Sequence, residues 1–163
     1  MVNYLEKIST FLNQLLLWVG GITLVGMVLL TCSNIFLRLV WVPLKGTYEI
    51  MGFFSAIVAA FALGYTQVKR GHVGIDIVVS RFPKKIQKIL HGVNYFICMF
   101  FFIVAGWQIV KLATTLRETG EVTETLGIVY YPFTYGVGLG CFVLALVFFV
   151  DLLKVIIKGE ETQ

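Results

Sequence analysis

Charge is what this chain has least of. Of its 163 residues 13% are charged and 58% are hydrophobic, and the mean hydropathy is +0.89. A soluble domain carries about a quarter charged residues, so the deficit excludes an ordinary water-soluble globule and points to lipid. Cysteine is scarce and scattered. Cys32, Cys98 and Cys141 each sit in an apolar run, and an odd number so far apart makes neither a disulfide framework nor a paired metal-ligand spacing. They read as packing residues. The two histidines, His72 and His91, supply no paired axial ligands for a redox subunit. No acidic or basic side chain lies in the interior of an apolar run, which removes the intramembrane carboxylate that a proton relay, a sodium site or a stand-alone multidrug-type carrier needs. Glycine–proline interruptions in repeated halves, the mark of an autonomous ion-coupled transporter, are missing as well. The net charge of +4 is read as a record of topology and not as a nucleic-acid grip. A cleaved signal peptide is not expected, because the first apolar run is too long and the segment before it is amphipathic.

What the chain does have is four long apolar runs. A helix needs about 20 apolar residues to cross a hydrocarbon core of roughly 30 Å. The runs at about 15–37, 48–66, 89–110 and 130–150 meet that length. They are apolar on nearly every face, unlike the striped helices of a soluble bundle. The expected fold is therefore all-α, with four transmembrane helices over residues 15–158 and a short tail at 159–163. Before the first run, Leu5, Ile8, Leu12 and Leu15 recur at helical spacing, with Glu6, Lys7, Asn13 and Gln14 between them. This predicts an interfacial amphipathic helix over 1–14. The alternative, a plain continuation of the first span, stays open.

Orientation follows from the positive residues. An even number of spans places both termini and the middle loop on one side. That side holds nine lysines and arginines, including Lys69, Arg70, Arg81, Lys84 and Lys85; the other holds four: Arg38, Lys45, Lys111 and Arg117. The bias predicts cytoplasmic termini. Trp41, Trp107, Tyr130, Tyr131 and Tyr135 fall near the outer ends of their spans, as an interfacial belt would.

The middle loop, QVKRGHVGIDIVVSRFPKK, gathers six charged residues between apolar runs. His72 and Asp76 are four apart, but Gly71 and Gly74 oppose a regular helix there, and no second histidine or cysteine ligand is near. The stretch is read as an ordered turn held by hydrogen bonds, with no catalytic, cofactor or metal role. Pro83 suits a helix start, where its missing N–H costs nothing. Within the spans Ser33, Asn34 and Asn94 are the main polar groups, and such residues commonly bond to neighbouring helices. Gly136 and Gly140 form a small-xxx-small pair that permits close helix approach. Arg38 and Glu49 flank the first outer loop, near enough in sequence to pair at the outer interface. Arg117, Glu118, Glu121 and Glu124 are solvated loop charges or contacts for a partner.

In order and spacing these residues resemble a known family, the small DctQ-like membrane subunit of tripartite ATP-independent periplasmic (TRAP) transporters. The likeness rests on Asn34 and Arg38 in NIFLRLVWVPL, Glu49 in GTYEIMGFF, and Arg70, Gly71, His72 and Asp76 in KRGHVGID, followed by Pro83. Tyr48 stands where the family often has tryptophan. The resemblance implies a non-enzymatic, multi-pass protein of the bacterial inner membrane. It implies two partners besides lipid: a large membrane subunit that carries substrate and sodium sites, and a periplasmic substrate-binding protein. No cofactor is expected in this chain, and Na+ belongs to the large subunit. The implied role is a fixed scaffold for an elevator-type transporter of organic acids, such as C4-dicarboxylates, sialic acid or other sugar acids. The alternative is a four-helix anchor subunit of a membrane enzyme complex.

Overall fold

The computed structural model describes residues 2–40, 42–68 and 83–157. They form α1 (Val2–Val40), α2 (Thr47–Val68), α3 (Lys84–Thr119) and α4 (Tyr131–Ile157). All four are long and apolar enough to cross a membrane. Among the described residues the one β-type pairing is an isolated bridge, Val122 to Val129. Helix content and span number are therefore those expected from composition.

The helices outrun the apolar windows. At 1.5 Å per residue the 39 residues of α1 reach about 58 Å and the 36 of α3 about 54 Å, well beyond one hydrocarbon core. Helix continues past the apolar stretch because nothing in Val2–Gln14 or Lys111–Thr119 breaks it: neither glycine nor proline falls in those segments. This bears on the N-terminus. Residues 2–14 are helical but unbroken from α1, and no separate amphipathic helix is formed. The face they bury follows the leucine stripe only in part. Leu12 packs against the core beside buried Leu16, and Ser9 and Asn13 are buried with them, Asn13 to 1% exposure, whereas Ile8 and Leu15 are about half exposed. Small and polar residues thus share the helix interface with leucine, as is common in membranes.

Close contacts set the arrangement. Along α1 and α2, Thr31 meets Met51, and Gly26, Gly20 and Asn13 face Phe54, Phe61 and Gly64 in turn. The pair is antiparallel. Between α3 and α4, Thr114 meets Tyr135, Gly106 meets Cys141 and Phe142, and Gly92 meets Val155, again antiparallel. α2 and α4 run in the same direction, from Phe53 on Phe133 through Ala60 on Gly140 to Gln67 on Asp151. α4 is the hub. It packs on α3, α2 and α1, and α3 joins the bundle chiefly through it. Leu16, Ala60, Phe61 and Val143 form a buried apolar cluster where α1, α2 and α4 meet. Span hydroxyls are mostly satisfied by the carbonyl four residues back, as for Thr23, Thr31 and Thr66.

Candidate functional site

The bundle has two polar ends. At the loop end, the α1–α2 connection turns at Gly46, whose φ of 75° lies in the left-handed region. That conformation suits glycine because it carries no Cβ. A Cβ there would also run into the side chain of Leu126. The Gly46 carbonyl accepts from the N–H of Glu49 (3.1 Å) and of Ile50 (3.2 Å) and so begins α2. Thr47 is buried, and its hydroxyl donates to the Leu44 carbonyl at 2.9 Å. Asn34 reaches across from α1, its side-chain oxygen accepting the Leu44 N–H at 2.9 Å. The first loop is thus held from both helices that it joins.

The second loop is a compact hairpin hung on Thr123, which is 3% exposed. Its N–H donates to the Ile128 carbonyl (2.9 Å), and its carbonyl accepts from Gly127 (3.1 Å). Its hydroxyl accepts the Ile128 N–H at 3.1 Å. Left-handed Gly120 and Gly127 set the bends. Glu49 then ties the two loops together. One carboxylate oxygen accepts the Thr125 N–H at 2.7 Å and the other the Leu126 N–H at 3.1 Å. The contact spans 76 residues of chain. It lies in the first turn of α2, where a negative side chain is favoured by the helix dipole.

At the termini end, Gln67 is buried and its amide donates to the Asp151 carboxylate at 3.2 Å, joining α2 to α4. Lys154 stands 3.9 Å from the other Asp151 oxygen. Nearby Asn13 donates to the Ser9 carbonyl at 2.9 Å. Its side-chain oxygen is buried with no hydrogen-bond partner among the described residues and lies over Gly64, where a Cβ would collide with it.

Several residues singled out in the sequence find different partners here. Glu49 is at the centre of the loop-end site, but Arg38 is exposed and the expected pair between them is absent among the described residues. The carboxylate serves backbone N–H groups instead, because the second loop folds back over α2. Gly140 is buried against Ala60 of α2, so its close approach is spent within the chain; Gly136 has open space where a Cβ would be. The glycine that brings α3 close is Gly138, whose Cβ would lie 3.0 Å from Val110. Pro83 sits at the N-cap of α3 with extended backbone, and its carbonyl accepts from Ile86 and Gln87. Asn94 is half-buried beside Cys98, and Ser33 is exposed. Arg70, Gly71, His72 and Asp76, like the tail at 159–163, lie outside the described residues. The sequence singles out none of Thr123, Gln67 and Asp151, and it places Asn13 on the polar side of the first segment. For Gln67 and Asp151 the signal is a polar residue at the margin of an apolar run; Thr123 carries none.

Among the described residues no group of three or more histidine, cysteine or acidic side chains is placed to hold a metal. The geometry is that of a small integral membrane component, four spans cross-tied at both ends. The family model for tripartite ATP-independent periplasmic transporters, DctQ component, matches residues 27–157, and the chain belongs to that family. Comparisons with curated proteins and with solved structures gave no match.

Proposed function

We propose that this chain is the stationary small subunit of a sodium-coupled, binding-protein-dependent TRAP transporter for organic acids. It braces a large membrane subunit that moves substrate by an elevator motion, and a periplasmic protein delivers the solute. The family membership supports the transporter role. The observation that carries the scaffold role is the double clamp between α2 and α4. Glu49 holds the α3–α4 loop at one end, and Gln67 holds Asp151 at the other. A helix pair tied at both ends is suited to holding its shape as one rigid body while a partner moves against it. Beyond the clamp, α1 offers a broad apolar face, with Trp18 69% exposed beside Ile22 and Val25. Such a face suits either acyl chains or the large subunit. The bacterial inner membrane with both termini cytoplasmic is the setting proposed from the charge bias. Arg70, His72 and Asp76 are proposed to order the cytoplasmic turn between α2 and α3.

Uptake into proteoliposomes tests the reading. The chain alone should take up no sialic acid or C4-dicarboxylate. The same chain with its large partner and binding protein should do so under an inward sodium gradient. In a background lacking Cys32, Cys98 and Cys141, a bismaleimide linking cysteines at Gln67 and Asp151 should leave that uptake intact. Loss of uptake on linking would mean that α2 and α4 must part during the cycle, and the scaffold role would fail.

A further inference from the structure

A groove of about 370 Å³ runs between α3 and α4, lined by Val110, Tyr135, Leu139, Phe142, Val143 and Leu146. The α4 residues fall at i, i+4, i+7, i+8 and i+11, a single helix face. From Tyr135 to Leu146 they descend about 16 Å along the axis, close to half a hydrocarbon core of roughly 30 Å. The groove is therefore one leaflet long. Its walls are apolar to the bottom, and Leu139 is 52% exposed.

At the loop end the lining changes in a fixed order. Where the apolar wall stops, the hydroxyls of Thr114 and Tyr135 meet at 3.1 Å. One turn further, Arg117 is exposed. Val110, Thr114 and Arg117 are spaced i, i+4, i+7, so the apolar contact, the hydroxyl pair and the cation stand in line on one face of α3. Hydrocarbon, then hydrogen-bonding groups, then positive charge is the order in which a glycerophospholipid presents acyl chain, ester linkage and phosphate.

The geometry points to a bound membrane phospholipid in this groove, one acyl chain lying along Leu139, Phe142 and Leu146 and the phosphate paired with Arg117. A guanidinium matches phosphate oxygens two at a time. A partner helix fits less well. It would need small residues along the groove to approach closely, whereas Gly138 and Gly140 turn inward to Val110 and Ala60, the open Gly136 is not part of the lining, and the outer wall is built of leucine and phenylalanine. The inference does not depend on the transporter reading, only on the chain lying in a membrane.

Native mass spectrometry of the delipidated full chain in mild detergent, titrated with dioleoyl phosphatidylethanolamine, tests the site. The wild type should hold one lipid more firmly than the rest. Arg117→Gln, which removes a charge-assisted bond, and Leu139→Trp, which fills the groove, should each weaken that lipid about tenfold. Phe100→Trp, an exposed change on α3 outside the groove, should leave it unchanged. Dioleoylglycerol, which has no phosphate, should bind as weakly to wild type as phosphatidylethanolamine does to Arg117→Gln. Absence of a firmly held lipid, or equal retention by all variants, would overturn the proposal. A photo-crosslinker replacing Leu139 in membranes holding the assembled transporter should yield lipid adducts. Peptide adducts there would assign the groove to a protein partner and overturn it equally.

Discussion

Glu49 and Gly46 meet the same neighbour from opposite sides of a short turn. Glu49 accepts the N–H of Leu126, and Gly46 leaves the space that the Leu126 side chain fills. Substitutions at the two should therefore give related outcomes by different physics. Gly46→Ala places a Cβ on left-handed backbone, at a cost of about 1–3 kcal/mol, and pushes Leu126 aside. Glu49→Gln keeps one carbonyl acceptor but loses the charge that strengthened both bonds. We expect both variants to speed amide exchange at Thr125 and Leu126 while leaving exchange in the middle of α2 unchanged. Unaltered exchange at those two amides in Glu49→Gln would show that the carboxylate does not hold the loop. Residues 34, 38 and 49 drew notice in the sequence because polar side chains at span ends are few. Their partners were not legible. Hydrogen bonds to Glu49 from residues 76 and 77 positions away leave no local pattern, whereas Arg38 offered a partner only eleven positions off.

At the scale of the helix, glycine spacing marked a close approach but not which neighbour it admits. Gly136, Gly138 and Gly140 all lie in the first three turns of α4. A Cβ at Gly140 would sit 3.1 Å from the Ala60 Cβ and 3.2 Å from the Ala60 carbonyl oxygen, and backbone cannot yield as a side-chain tip can. Gly140→Leu should cost about 1–3 kcal/mol or more by overpacking, lowering the thermal midpoint of the purified chain. Gly136→Leu, with open space around it, should shift that midpoint little. Equal effects of the two would contradict this packing. The four spans themselves were readable from length and hydropathy, since burial in lipid asks for apolar side chains irrespective of neighbours. Which face of each span turns inward was not, because the outer face is as apolar as the inner. Asn13 illustrates this. It looks like the wet side of an amphipathic segment, yet it is buried to 1% exposure against Gly64.

For the whole molecule, the charge bias of the loops has a direct readout. A reporter after Gln163 or near Gly74 should behave as cytoplasmic, and one near Gly120 as periplasmic; a periplasmic signal at Gly74 would reverse the proposed topology. The packing of α4 on each of the other helices has a consequence for biogenesis. α4 is the last of the four to leave the ribosome, so α1 to α3 enter the bilayer before the helix that joins them does. The α1–α2 hairpin can pair early through Gly20 and Gly26, but α3 must wait, exposed to the membrane's quality-control proteases. A chain terminated after Tyr130 and released should therefore leave α3 freely cleavable in the membrane, and extension through Ile157 should protect it.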